Sequence, residues 1–492
     1  MVAVVQTLQQ VGAFIYQWYW LPLLLIYLAI IVTILIENRN PTKTIAWIMV
    51  IVFLPVIGFV IYYLFGQQYK KVKVLRLQDR EKHVRLLRVW DRLSPIMDDN
   101  LALLRQSIGP LSRVFTFLKS QRIAPPSLHN EVKLLINGEA KFPELIQAIR
   151  MAKHHIHLEY YIFELDDIGN TTIALLEEKA RAGVAVRIIA DAFGSPKLKR
   201  RRKYFADAGI QFLSFMPVSF SSLANSNYRN HRKIAIIDGH TAFVGGINIS
   251  DRYINNGKHA VFWRDTAVKI QGESVNVLQT QFWMNWHLAE GPPFRLRDGY
   301  FYTAPISSVG EVGVSFAFSD PGSIAPFNME AMLIGIAEAE QTIRICTPYF
   351  IPSDELSTAL QLAAASGVKV ELMLPAQSDS FIVQHASFSF LKPLVQRGVR
   401  VYLYEKGFLH AKTICIDGKL AYIGTVNLDI RSFFINFEVS AVISDSKLCE
   451  QLDAQFEVDK GESAVLDLVA WMSRPRWKRG MDSICRLLTP LL

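Results

Sequence analysis

A chain of 492 residues is long enough for two or three domains. Its net charge of +9 and pI near 9.2 favour an anionic partner, either nucleic acid or an anionic membrane surface, and a mean hydropathy of +0.20 is high for a soluble enzyme and points to the membrane. The four cysteines, Cys346, Cys415, Cys449 and Cys485, form no CxxC and no metal-ligand spacing, so free thiols in a reducing compartment are expected.

Residues 1–17 carry no charged side chain. Trp18 to Ile36 is an apolar run headed by Trp18, Tyr19 and Trp20. It approaches the ~20 residues a bilayer span needs. No basic segment precedes it, so a cleaved signal peptide is not expected. After a short polar loop, Thr44 to Phe65 forms a second apolar run, interrupted only by Pro55 and Gly58, which membrane helices tolerate. A transmembrane hairpin over residues 1–66 is the expectation, with helices at about 18–36 and 44–65. Lys70, Lys71, Lys73, Arg76, Arg80, Lys82, Arg85 and Arg88 follow at once, against only Arg39 and Lys43 in the connecting loop. The positive-inside bias then places both termini and the rest of the chain in the cytoplasm of a multi-pass plasma-membrane protein. The basic stretch also suits anionic headgroups. Residues 67–125 read as a basic helical linker ending at Pro125-Pro126.

Beyond it, helical and apolar segments alternate. GEAKFPELIQAIRMAKHH, TTIALLEEKARAG and KRRRKYFADAG have helical character, and IHLEYYIF, VAVRIIADAF and IQFLSF read as buried strands. The order is then retraced: NMEAMLIGIAEAEQ, TIRICTPYFI, ELSTALQLAAASG, VKVELMLPA, SFLKPLVQRG and VRVYLYE. Alternation of this kind predicts an α/β fold, a sheet with helices on its faces. The two copies are bounded at 126–305 and 306–460, and 461–492 is an amphipathic C-terminal tail.

Each copy closes on the same motif. HRKIAIIDGHTAFVGGIN (231–248) and HAKTICIDGKLAYIGTVN (410–427) both fit H-x-K-x4-D-x6-G-[GT]-x-N without gaps. Asp238-Gly239 and Asp417-Gly418 sit between apolar runs, a two-residue hairpin signal. Pairing outward from such a turn sets Ile237 against His240 and Lys233 against Val244, and brings Asn248 beside His231. Asn427 reaches His410 in the same way. Side chains two apart on a strand share a face. Each motif therefore gathers an imidazole, an ammonium and an amide. Lys233, Asn248, Lys412 and Asn427 offer donors to phosphate oxygens. A neutral histidine can attack phosphorus, and a protonated one can hand a proton to the leaving oxygen. The turn position accounts for Asp238 and Asp417 structurally.

The paired motifs identify the chain as resembling the phospholipase D superfamily, and GTVNLDIRSFFINFE and RLLTPLL make it similar to the bacterial cardiolipin synthase family over nearly its whole length. That resemblance implies two domains related by a pseudo-twofold axis meeting at one site, with His231, Lys233, Asp238, His410, Lys412 and Asp417 as the catalytic set. It further implies that Glu438, in NFE, orients His410 and that Asp265, in WRD, orients His231. The implied reaction moves a phosphatidyl group between two phosphatidylglycerol molecules through a phosphatidyl-histidine. Cardiolipin and glycerol are the products. His231 is the family's usual nucleophile, though two near-symmetric repeats do not decide the matter. Exchange of one phosphodiester for another needs no nucleotide, and neither metal nor other cofactor is expected. Phosphatidylglycerol and anionic membrane lipids are the expected partners, without nucleic acid. A phospholipase D hydrolase, a transphosphatidylase using another phospholipid, a nuclease and a non-catalytic scaffold are the alternatives. Against the common Gly-Ser ending, the motifs carry Gly245-Gly246 and Gly424-Thr425, so the first lacks a hydroxyl and with it one phosphate contact. Lys197, Lys199 and Arg200 to Lys203, and the Arg474–Arg479 segment with Trp471 and Trp477, are further basic clusters that could meet lipid.

Overall fold

The computed structural model describes residues 17–18, 20–36, 41–54, 57–62, 95–216, 227–295, 298–302 and 310–489. The chain divides into two compact units, one N-terminal and one holding both sequence repeats. In the first, helices Trp20–Ile36, Pro41–Phe53 and Ile57–Ile61 bury Ile34, Ile51 and Tyr62 against one another, with Trp47 and Tyr62 edge-to-face at 5.4 Å. Leu24, Leu25, Leu28, Ile45, Val52 and Phe53 point outward and are exposed. Among the described residues no helix is long and apolar enough to cross a membrane. The expected second span holds two described helices, Pro41–Phe53 and Ile57–Ile61. The Lys70–Arg88 stretch lies outside the described residues.

The second unit contains two α/β domains with mixed sheets. The first sheet uses β1 (Asn130–Ile136), β2 (His155–Tyr160), β3 (Ala185–Asp191), β4 (Gln211–Phe215), β5 (Lys233–Ile237), β6 (Thr241–Gly245) and β8 (Thr266–Gly272), after a short β7 (Phe262–Arg264). Its order is β1-β8-β6-β5-β2-β3-β4, parallel only across β2, β3 and β4. The second domain contributes β9 (Gly313–Ser319), β10 (Thr342–Cys346), β11 (Phe350–Ile351), β12 (Lys369–Pro375), β13 (Arg400–Tyr404), β14 (Gly407–Leu409), β15 (Thr413–Ile416), β16 (Leu420–Gly424), β17 (Leu428–Asp429), β18 (Glu438–Ser444) and β19 (Ser463–Val465). Its sheet, β19-β13-β12-β10-β15-β16-β18-β9, repeats the first order with one added edge strand.

β5 and β15 are buried on both faces, which is why KIAII and TICI are continuous apolar runs and do not alternate. One face of each sheet packs on its own helices. The other faces meet in a shared core of Ile234, Ile236, Val244, Val268, Phe316, Ile423, Val439 and Ile443. Helices form where apolar spacing and caps agree. Asp167–Arg181 starts at Asp166, whose carboxylate accepts the Gly169 N–H at 3.1 Å, and buries Ile168, Thr172, Ile173 and Leu176.

Two flanking segments pack on the second domain. Residues 95–120, within the expected helical linker, are helical and insert Leu104, Ile108, Leu111, Val114, Phe115 and Leu118 into the core of the second domain. The C-terminal segment is structural too: β19 pairs with β13, and Leu466 and Cys485 are buried in that same core.

Candidate active site

Both motifs fold as β-hairpins, β5–β6 and β15–β16. The expected turn residues adopt left-handed φ, +54° at Asp238 and +63° at Gly239, +52° at Asp417 and +62° at Gly418, which Asp and Gly tolerate better than other residues. The expected register is off by one. Ile237 pairs with Thr241 and Ile234 with Val244, because His240 is an extra residue outside the β5–β6 ladder; its carbonyl accepts from Gly272 on the far side. Lys419 plays the same part in the second motif, where Ile416 pairs with Leu420.

The motif aspartates do not join the catalytic centre. The Asp238 carboxylate accepts the backbone N–H groups of Lys153, His154 and His155 at 2.8–2.9 Å. Asp417 accepts those of Glu340, Gln341 and Thr342 at 2.8 Å. Each anchors the entry of the neighbouring strand, β2 or β10, to its hairpin turn. These bonds support the structural account of both aspartates that their turn positions offer.

The histidines and lysines do converge. Lys233 Nζ donates to the His231 carbonyl at 2.6 Å, and Lys412 Nζ makes the same bond to the His410 carbonyl. Each ammonium thus folds back onto the main chain of its own motif histidine. The Lys412 charge acts on His231 and the Lys233 charge on His410, so the two motifs share one site.

The orienting carboxylates are those expected, but the pairing is crossed. His231 Nδ1 lies 3.0 Å from both oxygens of Glu438, and His410 Nδ1 lies 2.6 Å from Asp265 Oδ2. Each carboxylate serves the histidine of the other repeat. The cause is main-chain pairing between repeats. Asn230 bridges Phe437 in parallel, and the His231 N–H donates to the Phe437 carbonyl at 3.0 Å. On the other side β14 runs parallel to β7, and the His410 N–H donates to the Arg264 carbonyl at 2.7 Å. The chain entering each histidine therefore lies beside the residue preceding the opposite carboxylate.

The divergent motif endings face these carboxylates. Thr425 Oγ1 donates to Glu438 Oε2 at 2.5 Å, and a Cβ at Gly246 would stand 2.2 Å from Asp265 Oδ1. The hydroxyl missing from the first motif is a missing bond to Asp265, which takes the Thr266 N–H at 2.7 Å instead. It is not the lost phosphate contact expected from the sequence.

The two asparagines also differ. Asn248 is engaged at both ends: Oδ1 accepts the Ile162 N–H at 3.1 Å, and Nδ2 donates to the Tyr253 hydroxyl at 2.7 Å. Asn427 Oδ1 is buried without a partner among the described residues.

Burial dominates the electrostatics. It holds His410 down at about 3, with the Lys412 charge adding to it, and lowers His231 as well. It pushes Lys412 down to about 8 and Lys233 well below its ordinary value. Burial alone would raise Asp265 and Glu438, but the imidazole and ammonium groups beside them outweigh it and keep both carboxyls below their usual range. The site gathers four potential cations, His231, Lys233, His410 and Lys412, around two carboxylates, Asp265 and Glu438.

Several neighbours carry no signal in the motif itself. Tyr161 stands edge-on to His231 at 5.0 Å, whereas Trp263 and Tyr253 stand at 5.3 and 5.9 Å from His410. Lys141, buried under the site, donates to the Ile247 carbonyl at 2.6 Å and is pushed down to about 7 by burial. Its position on the apolar face of helix Asn137–Met151, beside Phe142, Leu145 and Ile149, was the available hint.

Residues 145–286 and 332–460 match the family described as cardiolipin synthase, phospholipase D-like domain, and residues 23–67 match the phospholipase D-nuclease N-terminal family. The cardiolipin synthase of Alkalihalophilus pseudofirmus is 38% identical over 463 residues, covering 94% of this chain and 91% of that one. The cardiolipin synthase of Geobacillus kaustophilus is 38% identical over 471 residues, covering 95% and 92%. The crystal structure of phosphatidylserine synthase from Haemophilus influenzae superposes with a TM-score of 0.59 at 15% identity, over 77% of this chain and all of that one, which establishes the shared fold. The chain belongs to the phospholipase D-like cardiolipin synthase family.

Proposed function

We propose that the protein is a phosphatidyltransferase that makes cardiolipin and glycerol from two molecules of phosphatidylglycerol. One observation carries the reading: two buried histidines, each held at Nδ1 by a carboxylate from the other repeat, flank a site whose two buried lysines make no direct ion pair among the described residues. A phosphodiester supplies an anion for them. Lys233 and Lys412 meet its non-bridging oxygens, and the Asn427 Nδ2 group is the further donor in this reading.

With Nδ1–H directed at a carboxylate, the free Nε2 of His231 is the nucleophilic nitrogen. Its attack forms an Nε2–P bond as the P–O bond to glycerol breaks. His410, charged once the phosphate anion offsets its burial, gives its Nε2 proton to the departing alkoxide. A second phosphatidylglycerol then presents a terminal hydroxyl. His410 takes that proton, the oxygen bonds to phosphorus, and His231 is released neutral. Water competes at this second step, so exclusion of water favours transfer over hydrolysis.

The outward-facing apolar side chains of helices Trp20–Ile36 and Pro41–Phe53 support embedding of the N-terminal hairpin in the plasma membrane, with the repeats on the cytoplasmic side. The boundaries read from the sequence, near residues 66, 125, 305 and 460, remain the proposed division of the chain. Reconstitution in vesicles with phosphatidylglycerol as sole lipid, in EDTA, tests the function. Cardiolipin plus free glycerol from the wild type, lost in His231→Ala, is the expected result. Phosphatidic acid without cardiolipin would make the protein a hydrolase.

A further inference from the structure

The two histidines do not face equivalent surroundings. On the His231 side, Tyr161 closes on the ring, and the charges of Arg229 and Arg431 act on that tyrosine. On the His410 side lies an open cavity of about 450 Å³, within the range that small ligands occupy. Trp263 is the shared wall. Its ring lines the cavity, stands 5.3 Å from the His410 ring, and lies 5.5 Å beneath the Arg252 guanidinium.

The walls combine apolar surface from Ala260, Val261 and Trp263 with polar groups of both charges and the His259 imidazole. Glu164 lies 3.5 Å from Lys197 and 3.8 Å from Arg252, and Asp166 adds a second carboxylate. Asp166 is already committed to the Gly169 and Asp251 N–H groups. Ser250 is buried, with its hydroxyl 3.4 Å from Arg252 Nε. Two cations against two carboxylates give an anion little attraction, unlike the lysine pair at the reaction centre. Carboxylate, guanidinium and hydroxyl together suit a neutral ligand that both donates and accepts hydrogen bonds.

We propose that this cavity is the alcohol subsite of the transfer reaction and that it recognises a vicinal polyol, the glycerol headgroup. Glu164, Ser250 and Arg252 read the secondary hydroxyl of glycerol, and thereby present a primary hydroxyl to His410. The same residues hold the glycerol that leaves and then the headgroup of the lipid that accepts. The bonds made and broken are those given above; the subsite adds only the choice of alcohol. This inference rests on the phosphatidyltransferase reading and goes beyond it by naming what sets acceptor choice. A site built to bond a hydroxyl discriminates strongly against the analogue that lacks it.

The test runs the exchange in reverse with the full-length protein in vesicles. Cardiolipin is the donor, and glycerol or 1,3-propanediol, which lacks the middle hydroxyl, is the acceptor. The wild type should use glycerol with a kcat/KM at least tenfold above that for 1,3-propanediol. Glu164→Gln and, separately, Ser250→Ala should each shrink that ratio several-fold, mainly through KM for glycerol. Thermal melting confirms that each variant is folded, and Ser250→Ala carries the test if Glu164→Gln is not. A wild type that does not discriminate, or folded variants that keep the full ratio, would overturn the subsite. A wild type that makes no cardiolipin from phosphatidylglycerol and transfers to neither alcohol would instead overturn the underlying reading.

Discussion

The crossed pairing of histidine and carboxylate makes a prediction that within-repeat pairing does not. Asp265 Oδ1 is occupied by the Thr266 N–H at 2.7 Å, leaving Oδ2 for His410 Nδ1 at 2.6 Å. In Asp265→Asn the amide oxygen keeps Thr266, and the NH₂ group faces His410. That imidazole must then accept at Nδ1 and carry its proton on Nε2, the tautomer that cannot take a proton from an incoming alcohol. The loss should approach the whole value of general acid–base catalysis, roughly 10²- to 10⁴-fold. Glu438 is better supported, since Thr425 and Asn436 also bond to it. Glu438→Gln should cost about one charge-assisted hydrogen bond, about 1.5–3 kcal/mol or roughly 10- to 150-fold. The assay uses a phosphatidyl ester of p-nitrophenol, a phenol that departs without needing a proton. His231→Ala should abolish the phenol burst. His410→Ala should keep the burst and trap a phosphatidyl-enzyme. Under crossed pairing Asp265→Asn copies His410→Ala, and Glu438→Gln is a weaker copy of His231→Ala. If Asp265→Asn instead abolished the burst, the pairing inferred here would be wrong.

Three further outcomes are expected. Gly246→Ala drives a Cβ to within 2.2 Å of Asp265 Oδ1 and should lower turnover at least a hundredfold while the near-UV circular dichroism stays native. Asp238→Ala and Asp417→Ala each strand three backbone N–H groups, a cost of about 3 kcal/mol, so the melting temperature should fall by roughly 6–12 °C with turnover per folded molecule largely retained. Lys412 is held down at about 8, and its charged form lies below that pH. Phosphodiester binding should therefore weaken as the pH rises through that value, and the alkaline limb of kcat/KM should move upward in Lys412→Arg.

The sequence was most readable where local rules act alone. Alternating helices and apolar strands predicted two α/β repeats, and the gapless motif pair picked out His231, Lys233, His410 and Lys412 as one site. Asp-Gly predicted a tight turn in both hairpins, and both have one, with left-handed φ at Asp and Gly. The register was missed because a tight turn gives no notice of an extra residue whose carbonyl is satisfied by a third strand. The crossed pairing was missed for a different reason. Whether Glu438 serves His410 or His231 depends on which main chain runs beside Asn436–Glu438, a contact 207 positions away from His231. Symmetry of the motifs hides it, since both pairings satisfy the same pattern. Residues 95–120 show the same limit, because Leu104 and Phe115 are buried by a domain that begins far downstream.

That non-local contact also explains why the site needs both repeats. Each contributes an imidazole and a lysine, yet neither supplies the acceptor that orients its own imidazole. The docking that completes the site is specified by buried polar contacts as well as by the shared apolar core. Arg232, from the first repeat, donates to the carbonyls of Glu438 and Ser319 in the second at 3.1 and 3.2 Å. Arg264, whose carbonyl receives the His410 N–H, pairs its guanidinium with Asp459 at 2.8 Å, both side chains 4% exposed. Removing either partner of such a buried pair costs far more than the pair contributes as a whole. A shift of one repeat against the other would break both guanidinium contacts and both parallel bridges, and would separate each histidine from its carboxylate. The apolar face between the sheets could tolerate several offsets. The polar contacts tolerate one, and at that offset each histidine meets the carboxylate of the opposite repeat.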